Sequence, residues 1–589
     1  MKYVINSISG RWWVGGLLLA VGLLLGPTAH AQTPAPDWQS ALVVGGGSSN
    51  LTIKSTATNL SGDLYVAGSF SGIVTIGSTT MISTGGTDGF VAKWSQDTNA
   101  FIWAYRFGGS DLDQVTAVAL SGTRVYVAGT FISPNAAFGN INLVNYGSAN
   151  SVTTDAFVAR LTDTGSNASV DWAQQLGGPG QDAANALAVA GTSVFVGGQF
   201  ASATAQFGSV ALASSNAGLA FDGFVAKLTD GPGSASVSWV QAITGAGSKY
   251  VNALALNGAS VYAAGSIGGQ SATFGPTTVP NGGLSNAYIA KLTDAGPTGS
   301  WQWALRASGT GTDQSNALVV KGPILYLAGT FSSTTLALGT TTTVANAGPN
   351  GTTDAFVAAL TDAGSTAAWN WARQAGGTAD DKGTGLALYG TSGVYLAGSF
   401  ASSAVTIGST ALAAGSGGAL LARLNDDGPS ATVDWSQRGG SPTNTTASGL
   451  AMSGTQLYLT GNFQNTATFG TQTLNSSSAG QSTNFLAHLI DPAALTTTAT
   501  ASALNGSDFA LYPNPAHAVA TVTVPALPGT ATATLTLRDG LGRAVRTITV
   551  TLPAAGLRHE LSLAGLPAGL YAVQVQAGRN TTARRLVVE

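Results

Sequence analysis

Four aspartates, Asp113, Asp182, Asp313 and Asp381, stand at corresponding places in the chain. Each lies three residues ahead of an Asn or Thr that opens a short apolar run, and Lys249 and Thr445 fill two further places of the same kind. Carboxylates gathered by a fold can hold a divalent cation through oxygen ligands or divide acid and base work between them. An Asp at the head of a strand also accepts backbone N–H bonds in its own turn, and its recurrence favours that use. A second set, Asp88, Asp155, Asp222 and Asp354, precedes aromatic-led runs such as Phe157-Val158-Ala159 and reads as turn chemistry too. Glutamate occurs only at Glu560 and Glu589, so glycoside hydrolysis upstream of them would have to use Asp pairs alone. His488 takes the place of Lys93 or Arg160 in other copies of a repeat, which predicts an exposed strand position and not a base. With no Cys there is no disulfide, thiol nucleophile or Cys-held metal. Neither a DxDxDG calcium loop nor a G-x-x-x-x-G-K-[ST] phosphate loop occurs, and the residues imply no cofactor and no metal.

Aromatic residues are the other candidates, at positions where the copies differ. Trp94 replaces the Leu of its repeat, and Trp301 and Trp369 each add an indole two residues before a recurring Trp. Exposed on a rim, such rings would stack on sugars or anchor a protein partner, whereas packing between repeats would bury them. The candidate ligand-binding set is therefore Asp113, Asp182, Asp313, Asp381, Trp94, Trp301 and Trp369, with no catalytic residue assigned.

The elements that must position these residues recur seven times. A strand-like segment ending in Gly reads LYVAGSF at Leu64–Phe70 and VYVAGTF at Val125–Phe131, with its Gly at 68, 129, 198, 265, 329, 398 and 461. A second element runs from FVAKW at Phe90 through FVARL at Phe157 to FLAHL at Phe485. A third begins at Trp38, Trp103, Trp172, Trp239, Trp303, Trp371 and Trp435. A small apolar segment such as ALAV at Ala186–Val189 precedes the Gly-ended strand from the second copy onward. Four short strands per copy describe an all-β repeat that cannot cover both of its own faces. The expected fold is all-β, a seven-bladed β-propeller with the Ala/Gly/Val strand innermost. A further recurring pair, as in Phe138-Gly139 and Phe207-Gly208, predicts an extended hairpin on one rim of every blade. The chain opens on an unpaired Trp-type strand and closes on an FVAKL-type one, so the first strand should complete the last blade. Over about residues 38 to 489 the repeats resemble bacterial β-propeller repeat proteins, whose units carry the same four elements. That resemblance implies the fold and leaves the activity open.

Both ends read as addresses. Residues 1–31 look like a secretory signal, with Lys2 and Arg11 ahead of the apolar stretch Val14–Leu25 and a small-x-small site at Ala29-His30-Ala31. As a helix that stretch rises about 18 Å, short of a bilayer core of roughly 30 Å, and no later stretch predicts a membrane span in the mature chain. The propeller is expected over 32–490 and an Ala/Thr/Ser-rich linker over 491–508. Residues 32–508 carry net charge −9, while 509–589 carry +4 from seven Arg and three acids. The overall charge of −3 and the lack of basic blocks exclude nucleic acid as a partner. Alternating runs such as Ala520–Val524 and Tyr571–Val575 predict a small immunoglobulin-like β-sandwich over 509–589.

Four of its segments are similar to the C-terminal sorting domain of the type IX secretion system of Bacteroidota. They are Tyr512-Pro513-Asn514-Pro515-Ala516, Asp539-Gly540-Leu541-Gly542-Arg543-Ala544-Val545, Leu566-Pro567-Ala568-Gly569-Leu570-Tyr571 and Arg584-Arg585-Leu586-Val587-Val588. The resemblance implies that the secretion machinery is a partner through residues 509–589, reached after passage through the periplasm. It assigns the sorting motif to Tyr512, Pro513, Asn514, Pro515, Gly542, Arg543, Gly569 and Tyr571. The sequence thus predicts a secreted or cell-surface β-propeller acting as a non-catalytic binding or adhesion scaffold for an unknown glycan or protein. The alternative is a secreted carbohydrate-active enzyme with an Asp-based site at the channel mouth.

Overall fold

A computed structural model of the protein describes residues 32–46, 50–59, 61–147, 153–349, 351–390, 393–412, 418–441, 445–476, 480–492, 510–524, 532–539, 543–553, 556–577 and 580–589. The signal segment 1–31, most of the linker and Gly542 lie outside these residues. Among the described residues the protein is all-β, with no α-helix. The chain divides into two compact units. One comprises Met1–Leu388, Gly393–Ala451 and Tyr458–Leu489, and the other Tyr389–Ser392, Met452–Leu457 and Ile490–Glu589.

In the first unit seven sheets share one plan, a meander of four antiparallel strands. In the second copy Asp113–Ser121, Arg124–Phe131, Asp155–Asp163 and Ala168–Gly177 lie side by side in that order. The plan repeats with first strands Asn50–Thr58, Asp182–Ala190, Lys249–Asn257, Asp313–Lys321, Asp381–Tyr389 and Thr445–Ser453. The last sheet takes its fourth strand from the start of the chain: Trp38–Val44 pairs with Ser482–Ile490, setting Val43 opposite Phe485. This is the pairing expected from the unmatched Trp-type strand.

The recurring Gly has a local cause. In the first strand of each of five copies a β-bulge leaves one residue unpaired: Lys54, Thr116, Asn185, Asn252 and Asn316. The bulge presses a carbonyl onto the second strand. A Cβ on Gly129 would lie 2.0 Å from Gln114 O, and one on Gly68 1.8 Å from Thr52 O. Any side chain there would break the ladder.

A hairpin occurs in every copy, as expected, but its partner lies outside that copy. Each pairs with the fourth strand of the preceding sheet, as in Leu176↔Phe207, Ile243↔Phe274, Ala307↔Leu338 and Ala375↔Ile407. Four sheets thereby become six-stranded. Single bridges make the same connection at Gly108↔Ala137, Gly440↔Thr468 and Gly46↔Thr75. The last of these joins the first copy's hairpin to the sheet that holds Trp38.

Apolar side chains fill the spaces between consecutive sheets. Tyr65, Val91 and Trp103 of the first sheet meet Val115, Val127 and Phe131 of the second. Val44, Tyr458 and Leu486 of the last sheet meet Leu51, Leu64 and Phe90 of the first. A sheet so thin is stable only because both faces are covered this way, each buried large side chain contributing roughly 1.5–3 kcal/mol.

In the second unit Ala510–Tyr512, Val519–Val524 and Leu557–Ser562 form one sheet. Thr532–Arg538, Ala544–Thr551, Gly569–Ala577 and Asn580–Val588 form another. Every second residue of Val519–Val524 and Thr532–Arg538 is buried, and Val522, Leu535, Val573 and Leu586 share one core.

Candidate functional site

The four sequence-selected aspartates lie in four different sheets and are only 0–3% exposed. Asp113 Oδ2 accepts from Gly109 N and Ser133 Oγ, both at 2.6 Å, while Oδ1 accepts from Ile132 N at 3.1 Å. Asp182 is held the same way by Gly178 N at 2.7 Å and Ser202 Oγ at 2.6 Å, and Asp381 by Gly377 N at 2.8 Å and Ser402 Oγ at 2.6 Å. Asp313 accepts from Ser333 Oγ at 2.7 Å. Each carboxylate ties the head of a first strand to the chain leaving the second. Lys249 holds only the turn before its own strand, and with inverted polarity: its buried ammonium donates to the carbonyls of Ala246 and Gly247 at 2.7 and 2.8 Å.

The third-strand aspartates face this set. Asp88, Asp155 and Asp354 are fully buried, and Oδ1 of each has no hydrogen-bond partner. A Cβ on Gly108 would lie 2.6 Å from Asp88 Oδ1 and 2.7 Å from Asp113 Oδ2, so two carboxyl groups converge over one glycine. Burial, and then the neighbouring Asp182, push Asp155 up to about 7 against the N–H of Tyr146. Burial, with Asp381 beside it, pushes Asp354 up to about 6. Burial raises Asp182 and Asp381 as well, so each pair sets two carboxyl groups close together out of water, which disfavours ionising both. Where Lys249 faces Asp222, burial lowers the ammonium to about 8 and the carboxylate opposes that fall.

The remaining buried charges are spent between sheets. Asp163 accepts from Lys93 Nζ at 2.8 Å, Tyr65 Oη at 2.5 Å and Trp103 Nε1 at 3.1 Å, all from the preceding sheet. Burial alone would raise its carboxyl, but these donors hold it below the ordinary Asp value. Asp230 gathers Arg160, Tyr126 and Trp172, and Asp362 gathers Lys291, Tyr262 and Trp303.

A cavity of about 330 Å³ is lined by the first strands of all seven sheets. Its polar groups are Lys54, Ser55, Thr56, Thr116, Asn185, Asn252, Asn316, Thr384 and Ser448, and none of the four sequence-selected aspartates reaches it. The bulge residues hand their donors to the next sheet: Asn185 Nδ2 to Val251 O at 3.1 Å, Asn252 Nδ2 to Ser315 O at 3.0 Å and Asn316 Nδ2 to Gly383 O at 2.9 Å. Lys54 is exposed, is the only charged residue among the described residues of this wall, and makes no hydrogen bond or ion pair with a described residue. The sequence flagged Thr116, Asn185, Asn316 and Thr384 only as markers of a strand start; their spacing cannot reveal that a bulge aims them inward.

Of the two uses open to the aromatic candidates, packing between repeats describes Trp94 and Trp301. Trp94 is 2% exposed and packs against Tyr458 at 5.4 Å, because it fills the space between the first and last sheets. Trp301 is 4% exposed, edge-on to Phe274 at 5.3 Å, with Nε1 donating to Ala242 O at 3.3 Å. Only Trp369 is half-buried. His488 is not exposed either; it stacks on Tyr458 at 4.9 Å and 16°, and burial lowers its proton affinity.

In the C-terminal unit the structure brings two of the four resemblance segments together. Asn514 Nδ2 donates to Arg585 O, and Val587 N donates to Asn514 Oδ1, each at 2.8 Å. Ala516 N donates to Val587 O at 2.9 Å. The segment Tyr512–Ala516, with exposed Tyr512, Pro513 and Pro515, thus lies along the terminal strand. Tyr571 Oη donates to Pro567 O at 2.9 Å, and Gly569 opens the strand that carries Tyr571. Arg543 pairs with Asp539 at 2.7 Å.

Comparison with known proteins bears on this unit. Residues 510–589 match the family described as secretion system C-terminal sorting domain. No curated protein sequence matches the chain. Among solved structures the chain is similar to dimeric latent PorU from Porphyromonas gingivalis at 9% identity and a TM-score of 0.14. That alignment covers 92% of this chain and 34% of the other, so the chain spans about a third of its length. No helix among the described residues is long and apolar enough to cross a membrane. The C-terminal sorting domain marks this chain for export through the periplasm, by the type IX secretion system, to the cell surface or the extracellular space.

Proposed function

We propose that the seven sheets close into a seven-bladed β-propeller that serves as a non-catalytic binding or adhesion scaffold outside the cell. In this reading residues 1–31 are a signal peptide, 32–490 the propeller, 491–508 a linker, and 509–589 an immunoglobulin-like sorting domain. The observation that carries it is the single polar cavity to which every first strand contributes. The pairing of the first hairpin and of Trp38–Val44 with the last sheet supports closure. Against catalysis stands the use of the acids. Asp155 and Asp182 have the raised carboxyl and near neighbour that a hydrolase needs, yet at 0% and 1% exposure neither meets a substrate.

Screening the full chain against glycan and protein arrays, with product analysis of every glycan bound, tests the proposal. Saturable binding without product is expected, weakened by Lys54→Gln where the axial cavity is the site. Turnover that disappears in Asp155→Asn overturns it in favour of the carbohydrate-active enzyme.

A further inference from the structure

Arg306 lacks the partner that its position has elsewhere. In three other copies the equivalent fourth-strand residue is held by the aspartate that begins the third strand or lies within it. Arg106 Nη1 sits 2.5 Å from Asp88 Oδ2, Gln175 Nε2 2.6 Å from Asp155 Oδ2, and Gln374 Nε2 2.9 Å from Asp354 Oδ2. In the fourth copy that aspartate is replaced by Asn286, whose amide is engaged with Asn281 and with Gly309 N. Arg306 is left with no hydrogen bond or ion pair to a described residue, and its Nη1 is buried without a partner.

Trp369 is odd in a matching way. Its counterpart Trp301 has its N–H satisfied and its ring packed on Phe274. At Trp369 the corresponding Phe is Leu338, the ring is half-buried, and Nε1 has no partner. Arg306 and Trp369 line the same cavity of about 580 Å³, between two of the borrowed hairpins and the fourth strands beneath them. Arg306 is the only charged residue among the described residues of its wall. The volume falls in the range of small-ligand sites, roughly 300–1,000 Å³. A cation without a counter-charge and a half-buried indole ring on one cavity wall suit a ligand with a flat apolar face and an oxyanion.

We infer that this cavity binds an acidic sugar, its ring against Trp369 and its carboxylate or sulfate on Arg306. The site is separate from the axial cavity and stands whether or not that cavity takes a ligand. Calorimetric titration of the full chain with trigalacturonate, a sulfated chondroitin disaccharide and neutral maltotriose tests the inference and distinguishes carboxylate from sulfate. At least one acidic probe should bind about tenfold or more tightly than maltotriose. Arg306→Gln and Trp369→Ala should each weaken that probe by about tenfold, with Arg306→Lys intermediate. Trp369→Phe keeps the ring and loses only the N–H, and unchanged thermal midpoints show that the variants are folded. The inference fails if the acidic probes bind no better than maltotriose, or if Arg306→Gln and Trp369→Ala bind as the parent does. It fails too if triglutamate binds with the same Arg306 dependence and none on Trp369, which would mark a peptide site.

Discussion

Five junctions between consecutive sheets and the one joining the last sheet to the first fill the same space with opposite chemistry. At the five, an aspartate closing or following a third strand collects donors from the sheet before: Asp163, Asp230, Asp294, Asp362 and Asp426. At the sixth the corresponding residue is Gln96, the cation is replaced by His488, and the repeat's Leu by Trp94. Trp94, Tyr458 and His488 form one aromatic cluster there, with ring centroids 4.9 to 6.5 Å apart. A buried ion pair works only with every donor in place, whereas stacked rings tolerate a shift in register. The junction made by two distant ends of the chain is the one that uses the tolerant chemistry.

Removing the anion from an ionic junction should have the largest effect. Asp230→Ala leaves Tyr126 and Trp172 without their acceptor and Arg160 with only Asp171 and two carbonyls, and should cost about 3 kcal/mol in denaturant unfolding. Trp94→Leu restores the repeat consensus at the aromatic junction yet should destabilise by about 2 kcal/mol, because it empties space that no other residue fills. Equal stability would show that the cluster is incidental.

Acid should separate the two kinds of junction. Burial lowers the proton affinity of His488, so the unfolded chain takes up its proton first as pH falls below about 6.5. Stability from the aromatic junction is therefore lost on acidification. The carboxylates of Asp163 and Asp362 are held below their ordinary value and keep their contribution further down. Between pH 7 and 5 the parent should lose stability relative to His488→Phe; parallel curves would refute the assignment. The smallest change is a gain. Phe195 stands where other copies place a Tyr bonded to the aspartate, and Phe195→Tyr should add about 1 kcal/mol through a new bond to Asp294.

The strands and their order were legible because the repeat shows them seven times, and Trp38 found its partner by the same reasoning. The borrowed hairpins were not legible: pairing between copies leaves no mark in the alternation that defines a strand. The aspartates head their strands and bond back to the preceding turn, and their lack of access became visible only with Ser133, Ser202 and Ser402 in place around them. Trp301 and Trp369 are indistinguishable in sequence, and what separates them is a Phe or Leu some 30 residues away. Arg306 escaped notice because the change that frees it lies in another strand, at Asn286.

Asn484 bonds to the backbone of Ile53 and Leu51, across 431 and 433 residues of sequence. The strand just before them, Trp38–Val44, pairs with Ser482–Ile490, so during synthesis it has no mate until nearly the whole body has been made. For that interval it is a bare β edge, open to mispairing. Any chaperone or holding step that acts on this chain before export has its clearest target there.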